Sequence, residues 1–310
     1  MKRLLQALGL KARHQVAPNA ARHTISVPSS LDRARQPCLF IPAHSGEPRP
    51  LLVYLHPWRH GYDFDSRPWQ HEAAQRNWHF LAPHFRGPNR TPKSCASRFA
   101  RQDVLDAVAH VRARAQVDAA RIYLGGVSGG GHMTLVMAAE APHLWAAASS
   151  WCPISDLAAF HRESTARGAK IHRHIRRIAG GEPGSSPEVD AQLRYRSPRF
   201  HMANARTLPL DINHGIHDGQ PKGVGIQHSI WAFNALADCA GVKTVSDNDL
   251  ATLQRIETVD ASIEDATCAR RIYLRRHADN ARVTIFDGGH EDLPSAACDW
   301  LAQHTRAPHP

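Results

Sequence analysis

Between a strand-like run, Arg121-Ile122-Tyr123-Leu124-Gly125, and a small, apolar, helix-like run from Gly131 to Ala139, the chain reads Gly126-Val127-Ser128-Gly129-Gly130. A serine on so tight a strand-to-helix turn sits in a strained backbone conformation, and flanking side chains would clash. Gly126 and Gly130 remove them. The hydroxyl then projects above the sheet, and the Gly129 N–H and the following helix N-terminus face the place where an oxyanion would form. A glycine-rich turn with an incidental serine and a phosphate loop are the competing readings, and the second lacks the Lys-Ser or Lys-Thr pair such loops use. The strand–turn–helix setting is what a nucleophile elbow requires.

The apolar pattern around this turn alternates strand and helix. His23–Val27 and Pro37–Ile41 read as short strands, and the continuous apolar run Leu51–Leu55 suits a buried parallel strand. A helix is expected near Arg67–Arg76 and a strand at Trp78–Ala82. Ser97–Arg114 carries Val104, Ala107, Val108 and Val111 at helical spacing. Strands follow at Ile122–Leu124 and Ala146–Trp151. This rhythm predicts an α/β fold: a mostly parallel central sheet, helices on both faces and active-site loops at the carboxyl ends of the strands.

Residues 152–207 break the rhythm with a helix-like Ile171–Ile178 and a Gly/Pro/Ser-rich loop. They predict a small partial cap inserted over the strand ends. Residues 240–270 read as a second, irregular and acidic insertion. The chain therefore reads as one domain, 23–310, behind a basic amphipathic arm, 1–22, with Leu4, Leu5 and Leu8 at helical spacing.

Serine needs a base, and histidine is the usual choice at neutral pH. With 22 histidines, position decides. After Ser128, His290 is the one that follows a strand (Val283–Phe286), sits in a glycine-rich loop and precedes a helix (Pro294–Gln303). The acid is expected after the preceding core strand, Leu208–Asn213, and Asp218 stands there, able to accept the Nδ1 proton of His290. Asp156 is the rival acid, and Asp211, inside the strand, reads as structural.

The net charge of +10 is spread along the whole chain without a basic run interleaved with aromatics. That reads as a solvated basic surface, with an anionic substrate as the alternative and no nucleic-acid partner. No apolar run approaches the ~20 residues of a membrane span, so no stable membrane insertion is expected. The N-terminus has no small-residue cleavage site, which reads as uncleaved and cytoplasmic. Six cysteines, scattered and without a C-x-x-C pair, fit a reducing compartment and argue against a zinc knuckle. Neither metal nor organic cofactor is expected.

With these positions placed, residues 37–305 resemble the catalytic domain of the prolyl oligopeptidase-like α/β-hydrolases. The markers are Phe85-Arg86-Gly87, Gln102-Asp103-Val104-Leu105-Asp106-Ala107, the Ser128 turn, Ser197-Pro198, Gly215-x-x-Asp218 and Gly288-Gly289-His290. The resemblance implies an α/β-hydrolase fold and acyl transfer through Ser128, His290 and Asp218. Two departures stand out. Only some 35 residues precede the hydrolase region, so no β-propeller of the kind family peptidases carry is expected. The loop after the third strand reads His56-Pro57-Trp58-Arg59, and Pro57 has no N–H. The second oxyanion donor beside Gly129 is then the backbone N–H of Trp58, or its indole.

His56, Tyr62 and Trp151 are candidate substrate contacts, and Trp69 is a further aromatic expected near the mouth. His56 and Arg86 also read as residues that hold loops together. The substrate is a small-molecule ester or a short peptide. An acyl ester, of a carbohydrate or another small molecule that an acidic group would suit, is the favoured expectation, with a peptidase or amidase as the alternative. A catalytically silent binding protein on the same scaffold is a third reading.

Overall fold

The computed structural model describes residues 23–44, 46–219, 222–259 and 268–307; the arm expected at 1–22 lies outside them. Its strands are β1 (His23–Pro28), β2 (Arg35–Ile41), β3 (Arg49–Leu55), β4 (His79–Pro83), β5 (Val117–Val127), β6 (Ala147–Trp151), β7 (Leu210–Gly215), β8 (Ile272–Ala278) and β9 (Ala281–Phe286). They form one sheet in the order β1-β2-β4-β3-β5-β6-β7-β9-β8. The pairs from β4 through β3, β5, β6 and β7 to β9 are parallel. The outer pairs β1–β2, β2–β4 and β8–β9 are antiparallel. This is a mostly parallel α/β sheet. Because β5, β7 and β9 run the same way, the segments that follow them leave the sheet at one edge.

Alternate residues of the central strands face opposite layers. Leu51, Val53 and Leu55 of β3 join one apolar core with Ile122 and Leu124 of β5, while Leu52, Tyr54 and Tyr123 join the other. Helices α2 (Arg98–Arg112), α3 (Gly129–Glu140) and α7 (Gln227–Ala240) cover the first face through Val104, Ala107, Met133, Ile230 and Phe233. Helices α1 (Arg67–Gln75) and α9 (Pro294–Leu301) cover the second through Trp69, Ala73, Ala297 and Leu301. α3 is buried from Gly129 to Ala139. A helix buried all round needs no polar stripe, which explains its unbroken small and apolar sequence.

The stretch 152–207 holds three α-helices: α4 (Leu157–Ala166), α5 (Ile171–Ala179) and α6 (Pro187–Tyr195). Their inward side chains, among them Leu157, Phe160, Ile175, Ile178 and Leu193, pack into a separate apolar cluster on Trp58 of the loop after β3. Asp156 caps α4 by accepting the Ala159 N–H, and Ser186 with Pro187 starts α6.

One expectation is corrected here. The stretch 240–270 is not irregular throughout, because it contains α8 (Asp247–Gln254), opened by a reciprocal Ser246–Asp249 capping box. Leu253 is the buried residue of that helix, so no apolar stripe announces it. Residues 260–267 lie outside the described residues. No described helix is long and apolar enough to cross a membrane.

Two histidines are locked inside this frame. His132, on α3, meets the Arg196 carbonyl through Nε2 at 2.8 Å. His56 stacks on Phe85 with ring centroids 3.9 Å apart. Burial pushes each imidazole down to about 4. Histidine in an unfolded chain titrates near ~6.5, so between those values the unfolded state binds more protons than the native one. Stability is full above the unfolded value and is lost as pH falls through the window. Denaturant titrations at pH 7 and pH 5 are expected to differ by roughly 2 kcal/mol for each histidine. His132→Gln should remove its share of the slope, and a flat profile in the parent protein would refute the assignment.

Candidate active site

Ser128 sits between β5 and α3 with φ 61° and ψ −119°. A non-glycine residue there costs about 1–3 kcal/mol and persists only where its surroundings enforce it. The enforcement is visible: the Ser128 N–H donates to Trp151 O at 2.8 Å, and the His132 N–H donates to Ser128 O at 2.8 Å. A Cβ on Gly130 would stand 2.0 Å from Leu55 O, and one on Gly126 would stand 2.8 Å from the same oxygen. Backbone therefore packs directly on backbone at the turn, as its two glycines imply.

The loop after β3 closes the other side. A Cβ on Gly129 would lie 2.5 Å from the Trp58 nitrogen, so the two residues touch through their main chains. Neither the Trp58 N–H nor the Gly129 N–H has a hydrogen-bond partner among the described residues. The Trp58 indole is engaged elsewhere. Its Nε1–H donates to His174 Nδ1 at 3.3 Å, and the ring packs edge-on against Phe160. Of the two Trp58 donors considered from the sequence, the backbone N–H is the one beside the elbow.

Asp218 and His290 arrive on loops that are stitched together. The Ile216 N–H donates to Phe286 O at 2.8 Å and the His217 N–H to Gly288 O at 3.0 Å. Gly215 permits that approach, since a Cβ there would meet Gly289 O at 2.2 Å. The result is a 2.6 Å contact between His290 Nδ1 and Asp218 Oδ2. The hydrogen bonds of His290 among the described residues do not include one to Ser128. Hydrogen bonds of this kind are commonly long in enzymes without substrate and tighten in the reacting complex.

Asp218 accepts three further hydrogen bonds: Oδ1 from the Gly219 and Val224 N–H groups at 2.7 and 3.0 Å, and Oδ2 from His214 Nε2 at 3.0 Å. Burial opposes its ionisation, but the hydrogen bonds from His214 and His290 outweigh it and hold the carboxyl well below the usual carboxylate range. His214 was not singled out from the sequence. It is fully buried, and its Nε2 also faces Val224 O at 2.9 Å, so that nitrogen carries the proton, leaving Nδ1 to accept from Ser229 Oγ at 2.7 Å. Its position four residues before the acid, on the strand end, was the one available signal among many histidines.

The loop carrying His290 is held from two more sides. Cys152 Sγ lies 3.4 Å from Glu291 O, and burial raises its thiol pKa well above the ordinary value. It is a neutral packing residue rather than a nucleophile. Trp69 Nε1 donates to Asp292 Oδ2 at 2.7 Å.

Three aromatic expectations need correction. His56 is buried, with Nδ1 3.0 Å from Pro57 O and Nε2 2.9 Å from His84 O, so it shapes the loop after β3 and does not face a substrate. Trp151 is buried with its indole on Ser149 Oγ at 2.9 Å, and it serves the elbow through its carbonyl. Trp69 is buried on α1 beneath the His290 loop. Tyr62 is half-buried and edge-on to His84. Of the other acids, Asp156 is spent on the α4 cap and Arg199, and Asp211 is tied to Ser149, Asn213 and Arg282. Arg86 grips Asp32 and Asp103 and holds loops.

A cavity of about 940 Å³ is lined by Glu163, Arg167, His217, Asp218 and Gln227 among others, but by neither Ser128 nor His290. The unpaired Gly129 and Trp58 donors at the elbow do not line this cavity.

A strained serine between strand and helix, on a parallel sheet covered on both faces, defines the class: a serine hydrolase of the α/β-hydrolase fold. The sequence profile of the prolyl oligopeptidase family matches residues 98–252, half of the chain, and the chain belongs to that family. Among similar proteins is the uncharacterized peptidase YtmA of Bacillus subtilis (strain 168), 30% identical over 129 residues, which are 42% of this chain and 46% of YtmA. The fold matches the acylaminoacyl peptidase of Pyrococcus horikoshii with a TM-score of 0.58 at 20% identity, over 77% of this chain and 37% of that one. It also matches oligopeptidase B of Leishmania major with a TM-score of 0.62 at 12% identity, over 92% of this chain and 35% of that one. The chain thus spans less than half of each of these relatives.

Proposed function

We propose that the protein is a serine peptidase or amidase acting on short peptides, with Ser128 as nucleophile, His290 as general base and Asp218 as the acid that orients the base. The observation that carries this reading is the 2.6 Å His290–Asp218 contact on loops at the same sheet edge as the strained Ser128. Membership of a peptidase family, and the peptidases it resembles, favour an amide over the ester expected from the sequence.

In the first half-reaction Ser128 Oγ bonds to the substrate carbonyl carbon while its proton passes to His290 Nε2. The carbonyl π pair moves onto oxygen, where the Gly129 and Trp58 N–H groups stabilise it. His290 then gives its proton to the departing amine nitrogen as the C–N bond breaks. Water repeats the sequence on the acyl-enzyme and regenerates Ser128. Throughout, the Asp218 carboxylate keeps the Nδ1 proton on His290 and stabilises the imidazolium. Buried thiols at Cys38, Cys95, Cys152 and Cys298 suit a reducing compartment and support a cytoplasmic location.

The test is a panel of N-acetylated peptide anilides, acylated sugars and 4-nitrophenyl acetate, with active enzyme counted by fluorophosphonate labelling. Cleavage of the anilides is expected. Turnover of esters alone would overturn the peptidase reading while leaving a serine hydrolase.

A further inference from the structure

Three arginines neighbour, in the chain, Trp58 or a residue bonded to it. Arg59 follows it in the chain. Arg90 follows Asn89, whose N–H donates to Trp58 O at 2.9 Å. Arg177 lies one turn along α5 from His174, the acceptor of the Trp58 indole N–H. All three are exposed, and none of their guanidiniums has a hydrogen-bond or ion-pair partner among the described residues. All three charges reach one residue: burial first, then Arg90, Arg59, Arg177 and His172, hold His174 below the usual histidine range.

Their freedom contrasts with several other arginines of the fold. Arg86 pairs with two aspartates, Arg199 with Asp156, and Arg196 donates to the carbonyls of Pro92, Ser94 and Cys95. Arg167 donates to the carbonyls of Gly219 and Gly223. Those guanidiniums hold the fold together. Gathering three unpaired like charges gains the fold nothing and costs it repulsion, but it raises the local concentration of anions. The shared neighbour, Trp58, is the residue whose backbone N–H lies against Gly129. An anionic group drawn into this cluster would be carried on the same small molecule as the carbonyl at Ser128.

We propose that Arg59, Arg90 and Arg177 form a substrate-selecting rim, and that preferred substrates carry a carboxylate near the scissile bond. The planar, two-pronged guanidinium suits a carboxylate better than a point charge would. The inference rests on the hydrolase reading above.

Two matched pairs test it. One compares N-acetylglutamyl with N-acetylglutaminyl 4-nitroanilide, placing the charge on the acyl side. The other compares the N-acetylalanyl amides of 4-aminobenzoate and 4-aminobenzamide, placing it on the leaving group. The expected result is a kcat/KM preference of about ten-fold for the carboxylate in at least one pair. It should shrink with added salt and fall to about unity when Arg59, Arg90 and Arg177 are all changed to Gln. Where the anilides turn over too slowly, protection of Ser128 from fluorophosphonate by the α-amide of N-acetylglutamate against the α-amide of N-acetylglutamine reads the same preference. Equal rates within both pairs, or a preference that survives the triple change, overturn the rim. If Ser128 is still labelled in that case, the hydrolase reading stands; absence of labelling overturns both.

Discussion

Ser128→Ala is expected to lower kcat by about 10⁴-fold or more and to abolish fluorophosphonate labelling, with little change in melting temperature. The loss is large because Oγ is the atom that forms the acyl-enzyme, and neighbouring serines are occupied: Ser149 Oγ bonds Asp211, and Ser150 Oγ donates to the Gly131 carbonyl. Stability should hold because the strain at this residue lies in its backbone. φ stays at 61° whichever small side chain is present, and the bonds from the Ser128 N–H and to the Ser128 carbonyl involve no Oγ. Steady-state turnover, intact mass after labelling and a thermal melt read the three quantities. Turnover within ten-fold of the parent would move the nucleophile elsewhere.

Asp218→Asn should cost nearly as much, about 10⁴-fold in kcat, for a reason the hydrogen bonds make explicit. The carboxylate accepts from four N–H donors, Gly219 and Val224 on Oδ1 and His214 and His290 on Oδ2. An amide has one accepting oxygen and one NH₂. Whichever way it is turned, the NH₂ faces two donors. If it faces the imidazoles, His290 must rotate away or move its proton to Nε2, the nitrogen that has to receive the Ser128 proton. If it faces the backbone, the Gly219 and Val224 N–H groups lose their acceptor. Buried donors left without a partner cost about 1–3 kcal/mol each, so a lower melting temperature should accompany the lost activity. A drop in kcat of less than ten-fold, with the fold retained, would show that His290 needs no orienting carboxylate.

How much of this was legible in the chain depends on whether a residue's role is set by near neighbours. The elbow is a local object. Gly126, Ser128 and Gly130 lie within five residues, and their backbone clashes can be anticipated without knowing what lies above the turn. The parallel strands were readable because burial on both faces demands unbroken apolar runs such as Leu51–Leu55. Strand β8, Ile-Tyr-Leu-Arg-Arg-His-Ala, went unread because it forms the sheet's edge, where arginines can reach solvent. Helices α6 and α8 bury two residues and one, and α4, α6 and α8 are each opened by a side-chain cap. His56, Trp69 and Trp151 show the converse failure. An aromatic or imidazole near a strand end in sequence can point into the core or into a cleft, and nothing local decides which.

The sequence by itself determined the α/β architecture, the turn that strains Ser128 and the loops on which Asp218 and His290 would arrive, because periodicity and turn chemistry act over a few residues. Only the tertiary structure decided that Gly215 lets the two loops close on each other, that His214 shares the acid, and that three arginines distant in the chain bring their charges to His174. Apart from His214 and Asp218, four residues apart, these features join segments tens of residues apart, and packing and charge between such segments follow from where the sheet brings them.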